Sequence, residues 1–491
     1  MKTYIKQISA LLFISLIISC SKEEVCYEAD LVLVNSKIYT ANADQWEAEA
    51  LAILGDKFIF IGSNEDSSAY ACGSNRVLDL KDSFIFPGFI DAHAHLKGIG
   101  YREITLNLQG ADSLKNMLTL VQIHSNKLSD GDWVVGRGWI EKKWPEGRFP
   151  TIEELDAISS KKPIALERAD GHAIIVNSLA LKLAGIDRST PDPIGGKIDK
   201  DANGEPNGVL IDKASSLVES IIPKRTREEE KRALREGLNR TAKMGWTQLH
   251  DAGSPLSDYE ILNELKKNEG LPVRIQFYVS DGEDGNKFLD EGPYLDPDHF
   301  LTSRGIKFYA DGAIGSRGAA FFDKYDDYET KGFLIFQKEE TMPKLIKALV
   351  NGIQIQTHAI GDLANKITLD WYEEAFNKVS LENRIIENPR WRVEHAQNIK
   401  PEDQKRYSDL KVIASMQPSH AIGDLHFAHK RLGEERLKDA YTWKNLIELG
   451  VVVVGGSDAP VEIGDPRIEF KAAVSRKDLD GFYEDWWNIE E

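Results

Sequence analysis

Residues 86–96 read FPGFIDAHAHL, an apolar run that ends in two histidines two positions apart. The run is predicted to form a strand. Because side chains alternate along a strand with a period of two, His93 and His95 are expected to lie on one face. Two converging imidazoles can chelate a divalent ion, although such a pair alone is weak evidence, since it also occurs by chance in turns.

Seven further apolar runs end in polar residues capable of chemistry. These runs are TQLHDAG (247–253), PVRIQFYVS (272–280), GIKFYADGA (305–313), IQIQTHAIGD (353–362), RWRVEHAQ (390–397), KVIASMQPSH (411–420) and VVVVGGSDAP (451–460). Between them lie stretches such as 227–245 and 342–352, in which apolar positions recur every three and four residues, as in helices. Eight repeats of strand and helix predict an α/β fold, a (β/α)8 TIM-like barrel.

The spacing of the runs predicts an insertion. From the second run to the eighth the starts lie 34 residues apart on average, whereas the first two starts are separated by 161 residues. An α/β insertion is therefore expected after strand one. Before the barrel, short alternating strands predict a small antiparallel β unit, part of a β-sandwich. The predicted organisation is a signal peptide (1–19), the β unit (20–86), strand one with its loop (87–109), the insertion (110–225), the rest of the barrel (226–475) and a tail (476–491).

The composition argues against nucleic acid as a partner and against cysteines as metal ligands. The 491 residues include 61 basic and 79 acidic ones, a formal net charge of -18, which repels phosphate backbones and makes nucleic acid a poor partner. Three cysteines without a CxxC pair offer no thiolate metal site. Any metal must then be held by histidines and carboxylates. The sequence does not determine the oligomeric state, and a homodimer is one of the alternatives.

The N-terminus predicts export. Residues 11–18, LLFISLII, are too short a run to span a bilayer and follow two lysines, as in a signal peptide. The end of the run, IISC, resembles a bacterial lipoprotein signal, in which Cys20 would carry the lipid that anchors the protein to a membrane, facing the periplasm or the surface. A plain secretory signal is the alternative. In an exported protein, Cys26 and Cys72 can oxidise, and a bridge between them is left open.

Three later runs carry metal-ligand residues toward their ends. His358 lies near the end of the fifth run, His395 near the end of the sixth and Asp458 at the end of the eighth. In a barrel these strand ends share one rim with His93 and His95, so the five side chains would form a metal cluster. Singly, each has another interpretation: His358 as a core histidine, His395 paired with Glu394, and Asp458 capping a helix that contains Pro460.

A family resemblance rests on these same motifs. In order, FPGFIDAHAHL, THAIGD, RVEHAQ and GSDAP resemble the metal-binding strand ends of the amidohydrolase superfamily. The motifs GRGW, RADGHAIIVNSLAL and IKFYADGAIGSRGA resemble its amidohydrolase 3 branch, which includes N-substituted formamide deformylase-like proteins. The resemblance covers residues 30–475. It implies a metal-dependent hydrolase of carbon–nitrogen bonds other than peptide bonds, acting on a small molecule.

The resemblance also implies roles for single residues. The implied ligands of one or two divalent ions are His93, His95, Lys307, His358, His395 and Asp458. Zinc is the default ion for such donors, although iron, manganese or cobalt would fit them too. Lys307 matches a lysine that is carboxylated in related two-metal members. By chemistry alone it could instead pair with an acid such as Asp311. Asp458 is the implied general base and acid.

Substrate contacts are expected from the insertion and from the loop after strand four. The candidates are Trp139, Asp170, His172 and Arg317. Trp139 could equally pack the insertion onto the barrel, and Arg317 could only brace its loop. His250 and Asp251 end strand two and are weaker candidates for lining the pocket.

The chain ends 33 residues after Asp458 and lacks the later strands that members of the family usually have, so it looks truncated. We expect exposed apolar side chains in the β unit, and loss of the eighth helix would loosen Asp458. The alternative function is an exported, lipid-anchored binding protein with a degenerate hydrolase fold. Within the superfamily, a deaminase or lactonase differs only in its substrate.

Overall fold

A computed structural model describes residues 26–141, 144–169, 173–193 and 196–483. The predicted signal peptide, Cys20, Asp170, His172 and the last eight residues of the predicted tail lie outside the described residues. Contacts divide the chain into two compact units between Pro87 and Gly88. In the described part, no helix combines the length and the hydropathy needed to span a bilayer.

The first unit is built on one mixed β-sheet. Its elements are β1 (Glu28–Ala29), β2 (Leu31–Tyr39), β3 (Glu47–Ala48), β4 (Ala50–Leu54), β5 (Lys57–Gly62), α1 (Ser68–Ala71), β6 (Gly73–Ser74) and β7 (Val77–Ile85). The pairs β2–β3, β2–β4 and β4–β5 are antiparallel. The prediction of a purely antiparallel unit is wrong, because β7 pairs parallel with β2. The chain reaches β7 by a crossover through α1 and β6, not by a hairpin.

A disulfide joins Cys26 to Cys72, with 5.8 Å between the Cα atoms. The sequence had left this bridge open. A separate two-stranded sheet is formed by β1 and β6, and the β-sandwich stays a prediction. Phe58 and Phe84 are 65% and 58% exposed, in line with the expectation of exposed apolar side chains in this unit.

The second unit begins with the first barrel strand and then the insertion. Its elements are β8 (Phe89–Ala94), α2 (Leu96–Ile104), β9 (Leu106–Asn107), α3 (Leu114–Ser125), β10 (Val134–Trp139), α4 (Ile152–Ile158), β11 (Ile164–Arg168), β12 (Ala173–Val176), α5 (Ser178–Leu183), β13 (Gly196–Lys200), β14 (Pro206–Asp212) and α6 (Ser216–Glu219). From β9 to β14 the strands form a six-stranded sheet in the order β13-β14-β12-β11-β10-β9. The segment after strand one is therefore an α/β layer with its own sheet and apolar core.

The rest of the barrel follows. Its elements are α7 (Arg227–Met244), β15 (Trp246–Ser254), α8 (Leu256–Glu269), β16 (Arg274–Ser280), α9 (Glu283–Glu291), β17 (Leu301–Tyr309), α10 (Lys338–Asn351), β18 (Gln354–Ala359), α11 (Asp362–Lys378), a 3-10 turn (Leu381–Asn383), β19 (Arg392–His395), α12 (Pro401–Asp409), β20 (Ile413–Met416), α13 (Pro418–Asp424), α14 (Ala428–Leu437), α15 (Trp443–Glu448), β21 (Val453–Gly455) and α16 (Pro466–Ser475). Each of the eight predicted runs contains a strand. All pairings in the order β21-β20-β19-β18-β17-β16-β15-β8 are parallel, which confirms the barrel.

The barrel closes between its first strand, β8, and the residues that follow its last strand, β21, through two backbone hydrogen bonds. The N–H of Asp458 donates to the carbonyl oxygen of His93 over 2.6 Å, and the N–H of His95 donates to the carbonyl oxygen of Ala459 over 2.7 Å. At the same seam, a Cβ added to Gly456 would lie 2.5 Å from the backbone nitrogen of His93, so the close approach requires glycine. The last strand is thus held tightly against the first.

Local sequence features explain where the outer helix α7 begins and ends and which of its faces is buried. In α7, Thr226 and Glu229 form a capping box, and Gly245 ends the helix with a left-handed φ of 99°. Its buried face includes Leu234 and Leu238, which belong to the main apolar core. The eighth helix, α16, follows β21, so the loss expected from the short tail does not occur. No helix begins at Pro460, and Asp458 therefore caps none.

Candidate metal centre

The carboxyl ends of the barrel strands carry the six predicted ligands. His93 lies in β8 and His95 directly after it, Lys307 in β17, His358 in β18, His395 at the end of β19, and Asp458 beyond β21. Parallel strands of a barrel deliver such residues to one rim. The structure brings all six together, as the following distances show.

Three of these side chains form a compact group. One ligand atom from each of His93, His395 and Asp458 lies within 4.8 Å of the others. Asp458 Oδ1 is 3.0 Å from His95 Nε2 and 3.5 Å from His93 Nε2. Even so, this buried oxygen accepts no well-directed hydrogen bond from any described residue. A buried carboxylate oxygen that faces imidazole nitrogens without a hydrogen bond fits a divalent cation.

His93 is held in one orientation. Its Nδ1 lies within hydrogen-bonding distance of Glu394 Oε2, and its Nε2 is 3.3 Å from Lys307 Nζ. The ring is completely buried. Burial lowers the pKa of His93 to about 4, which keeps the imidazole neutral, the form that binds metal.

His358 and His395 are also each held at one ring nitrogen. His395 Nδ1 lies 2.7 Å from Gln417 Oε1, and His358 Nε2 lies 3.3 Å from the carbonyl oxygen of Gly312. The centroids of the two rings are 4.4 Å apart. His395 has a φ of 72°, a left-handed conformation that ends the regular alternation of β19. Each ring thus keeps its second nitrogen for another partner, Nε2 in His395 and Nδ1 in His358.

Lys307 is buried beside His93. It is 1% exposed, and its Nζ lies 5.0 Å from the ring centroid of Tyr309. Burial lowers the pKa of Lys307 to about 8, so a sizeable share of the amine is neutral in mildly alkaline solution. Asp311, the alternative partner, accepts instead the backbone N–H groups of Ala320, Ile360 and Gly361 at 2.8 to 3.0 Å.

Two expected substrate contacts are engaged elsewhere. Trp139 is fully buried in the apolar core of the insertion, and its Nε1 donates to the carbonyl oxygen of Leu166 over 3.0 Å. In this structure Trp139 therefore packs inside the insertion, and its contact with substrate stays a prediction. Arg317 donates through Nε and Nη2 to Asp327 at 3.0 and 2.8 Å, and so braces the loop after β17.

Strand two contributes to the barrel interior, not to the group of ligands. His250 Nδ1 lies 2.9 Å from Arg392 Nη1. Burial, together with the smaller effect of the charge of Arg392, lowers the pKa of His250 to about 3. Asp251 accepts the backbone N–H of Leu96 over 2.9 Å, a contact that fixes the start of α2.

Sequence reasoning missed three residues around the group. Glu394 and Gln417 hold His93 and His395, as described above. His420, at the start of α13, places Nε2 3.5 Å from Asp458 Oδ2 and stacks on His395 at 5.7 Å between centroids. The available signal was its position as the last residue of the seventh run. The alternative pairing of Glu394 with His395 does not occur, since Glu394 faces His93 and Arg392.

The barrel and its ring of histidines with one aspartate define a metal-dependent hydrolase. The chain belongs to the amidohydrolase family, whose amidohydrolase 3 model matches residues 76–489. It is 33% identical to the Bacillus subtilis (strain 168) protein named "Putative amidohydrolase YtcJ", over 90% of this chain and 82% of that protein. It is 27% identical to the N-substituted formamide deformylase of Arthrobacter pascens, over 92% and 84% of the two chains.

A solved structure agrees with this placement. The crystal structure of an uncharacterized metal-dependent hydrolase from Pyrococcus horikoshii OT3 superposes with a TM-score of 0.75 and 26% identity. The match covers 94% of this chain and 88% of that chain. Family, fold and the group of His93, His395 and Asp458 together support a divalent metal in this protein.

Proposed function

We propose that this protein hydrolyses the carbon–nitrogen bond of a small amide, an N-acyl or N-formyl amine. The observation that carries the proposal is the convergence of His93, His395 and Asp458 within 4.8 Å. The similarity to the N-substituted formamide deformylase supports the bond class.

The proposed ligands are the six residues at the rim. His93 and His95 present Nε2 toward Asp458 Oδ1, His395 keeps Nε2 available, and His358 keeps Nδ1 available. Zinc is the proposed default ion for this imidazole-rich set, and the six donors are enough for one or two ions. A bound divalent ion supplies two kinds of chemistry here: it lowers the pKa of water to near neutrality and it polarises a carbonyl oxygen.

Asp458 is proposed as the proton carrier. Its carboxylate lies beside the rings that hold the ion, with Oδ1 toward His95 and Oδ2 toward His420. In this position Asp458 takes a proton from the attacking water and then passes that proton to the leaving nitrogen as the bond to carbon breaks. The hydroxyl of the water stays on the acyl carbon as part of the acid product, the transferred proton leaves on the nitrogen of the neutral amine, and the carboxylate of Asp458 is regenerated.

Lys307 is proposed to be carboxylated. A neutral amine attacks carbon dioxide at carbon, which gives a carbamate and releases one proton. Burial of Nζ and its 3.3 Å distance from His93 Nε2 support this role, since a carbamate there would offer two oxygens at the centre of the histidine group. Burial also favours the neutral amine that the reaction needs.

Substrate orientation is proposed to come from the insertion and the strand-four loop. Asp170 and His172 follow β11 in the sequence and are kept as candidates, together with Arg317. Arg317 acts through its hold on Asp327 and so through the shape of the loop.

The test combines metal analysis with a substrate panel. Purified protein is expected to contain a divalent metal, to lose hydrolysis of one or more N-formyl or N-acyl amines on chelation, and to recover it when zinc is returned. The panel includes lactones and aminated heterocycles to separate amide cleavage from lactonase and deaminase activity. His395→Ala should remove both metal and turnover, and His124→Ala, on α3 of the insertion, serves as the matched control. Protein without metal and without metal-restored hydrolysis would contradict the proposal.

In the described ranges, no observation favours the alternative of a binding lipoprotein.

Export and lipid attachment at Cys20 are also proposed. The lipoprotein-like residues 1–20 and the Cys26–Cys72 bridge support them, because disulfides persist in oxidising compartments. In bacterial cells expressing the full chain, labelled fatty acid should be incorporated into the protein and not into Cys20→Ser. Equal labelling of both, or of neither, would exclude this anchor.

A further inference from the structure

A buried pair of opposite charges, Arg392 and Glu394, contacts His93 of the candidate metal centre. Arg392 and Glu394 both lie in β19, two residues apart, so the strand alternation points both side chains into the barrel. Arg392 Nε is 2.8 Å from Glu394 Oε1, and Arg392 Nη2 donates to Glu394 Oε2 over 3.1 Å. Glu394 Oε2 in turn contacts His93 Nδ1. Arg392 is 3% exposed, and Glu394 is fully buried.

Arg392 is anchored on several strands. Its Nη2 donates to the carbonyl oxygen of Ala92 in β8 over 2.7 Å and to Ser415 Oγ in β20 over 2.6 Å, and its Nη1 lies 2.9 Å from His250 Nδ1 in β15. A guanidinium with this many partners has little freedom to move. The carboxylate that it holds is therefore placed firmly in the barrel interior.

A buried ion pair is poor evidence for a contribution to stability, because removing two charges from water costs about as much as their attraction returns. A different role explains the geometry better. Glu394 faces the ring nitrogen of His93 that points away from Asp458, while the other nitrogen, Nε2, points toward Asp458 and Lys307. Gln417 stands in the same relation to His395 but has no charge.

We propose that Glu394, held by Arg392, is a positioning residue that keeps the proton of His93 on Nδ1 and thereby keeps the Nε2 lone pair directed at a divalent ion. This inference rests on the proposed metal-dependent function. A carboxylate partner also makes the imidazole a stronger donor than a neutral partner does. Of the two histidines whose acceptor is a side chain, His93 and His395, His93 is then the one whose partner sets metal affinity more strongly.

The test compares metal affinity in two matched variants. Glu394→Gln keeps the size of the side chain but removes its charge. Asp258→Asn does the same to a buried carboxylate of α8 whose partner is Lys97, at 2.8 Å. Zinc affinity is measured by competition with a chromophoric chelator, and the absorption spectrum of bound cobalt reports the ligand geometry. We expect Glu394→Gln to bind zinc about 10- to 100-fold more weakly with an altered cobalt spectrum, and Asp258→Asn to match the unmodified protein in both.

The possible failures are distinguishable. Unmodified protein that binds no zinc or cobalt would overturn the proposed function on which this inference rests. Tight binding by the unmodified protein with equal affinity and spectrum in Glu394→Gln would overturn the positioning role alone. If circular dichroism shows that Glu394→Gln does not fold, the charge-balanced double variant Arg392→Gln/Glu394→Gln takes its place. Unchanged zinc affinity in the double variant would likewise overturn the positioning role of Glu394.

Discussion

Asp458 and His93 are joined by a backbone hydrogen bond of 2.6 Å, donated by the N–H of Asp458 to the carbonyl oxygen of His93. The bond lies at the seam between the last barrel strand and the first. Asp458 has a φ of 55°, and its carboxylate lies within 3.5 Å of the Nε2 atoms of both His93 and His95. Closure of the barrel and the position of Asp458 in the candidate metal centre therefore depend on the same pair of residues.

Replacement of Asp458 by asparagine should separate chemistry from folding. The variant keeps the backbone N–H, so the seam should close and the melting temperature should change little. The side chain can no longer carry a proton, and kcat should fall by about 10²- to 10⁴-fold. Steady-state kinetics on a substrate from the amine panel and thermal unfolding check the two parts. Asp409→Asn, on α12, is the control. Unchanged kcat in Asp458→Asn would exclude the proposed proton carrier.

A carbamate on Lys307 should make activation depend on carbon dioxide. Metal-depleted protein supplied with zinc and bicarbonate should recover more activity than protein supplied with zinc in buffer freed of carbon dioxide. Lys307→Gln should recover little activity in either buffer, whereas Lys405→Gln, on α12, should behave like the unmodified protein. Equal recovery by the unmodified protein in the two buffers would count against carboxylation.

Gly456→Ala should destabilise the seam. The added Cβ would lie 2.5 Å from the backbone nitrogen of His93, so the strands must move apart, at a cost of about 1–3 kcal/mol in the free energy of unfolding. The neighbouring Gly455 has nothing within 4 Å of an added Cβ, which makes Gly455→Ala a close control. Urea unfolding of the metal-free proteins measures both changes. Equal stability of the two variants would show that the seam tolerates a side chain.

Asp91 should give the folded protein a measurable dependence on pH. Burial raises the pKa of Asp91 to about 6, against the opposing effect of hydrogen bonds from Ser457. Because this pKa lies above the ordinary value of 3.8, the folded state binds more protons than the unfolded state between pH 4 and 6. Its contribution to stability is complete below about pH 4 and is lost as the pH rises through 6.

The corresponding measurement is the free energy of unfolding of the metal-free protein minus that of Asp91→Asn, followed from pH 4 to 7.5. The difference should fall by about 3 kcal/mol at most as the pH rises. A difference that stayed flat, or that grew with pH, would mean that Asp91 is ionised at low pH in the folded protein.

Local sequence patterns were enough to predict the strands of the barrel but not the direction of every strand pairing. Each of the eight apolar runs became a strand, since short apolar segments between amphipathic helices have few other ways to bury their side chains. The β2–β7 pairing joins strands far apart in sequence, and no local pattern encodes whether such strands run parallel or antiparallel. Trp139 shows the same limit for a single residue, because an indole suits a core as well as a binding site.

The sequence by itself determined which residues can bind a metal and at which strand ends they stand, because donor chemistry and strand periodicity are local properties. Only the tertiary structure decided how those residues are supported. Glu394 contacts His93 across 301 positions of the chain, and His420 faces Asp458 from helix α13. Such contacts depend on the curvature of the closed ring and on distances across it, and these arise only when all eight strands are in place.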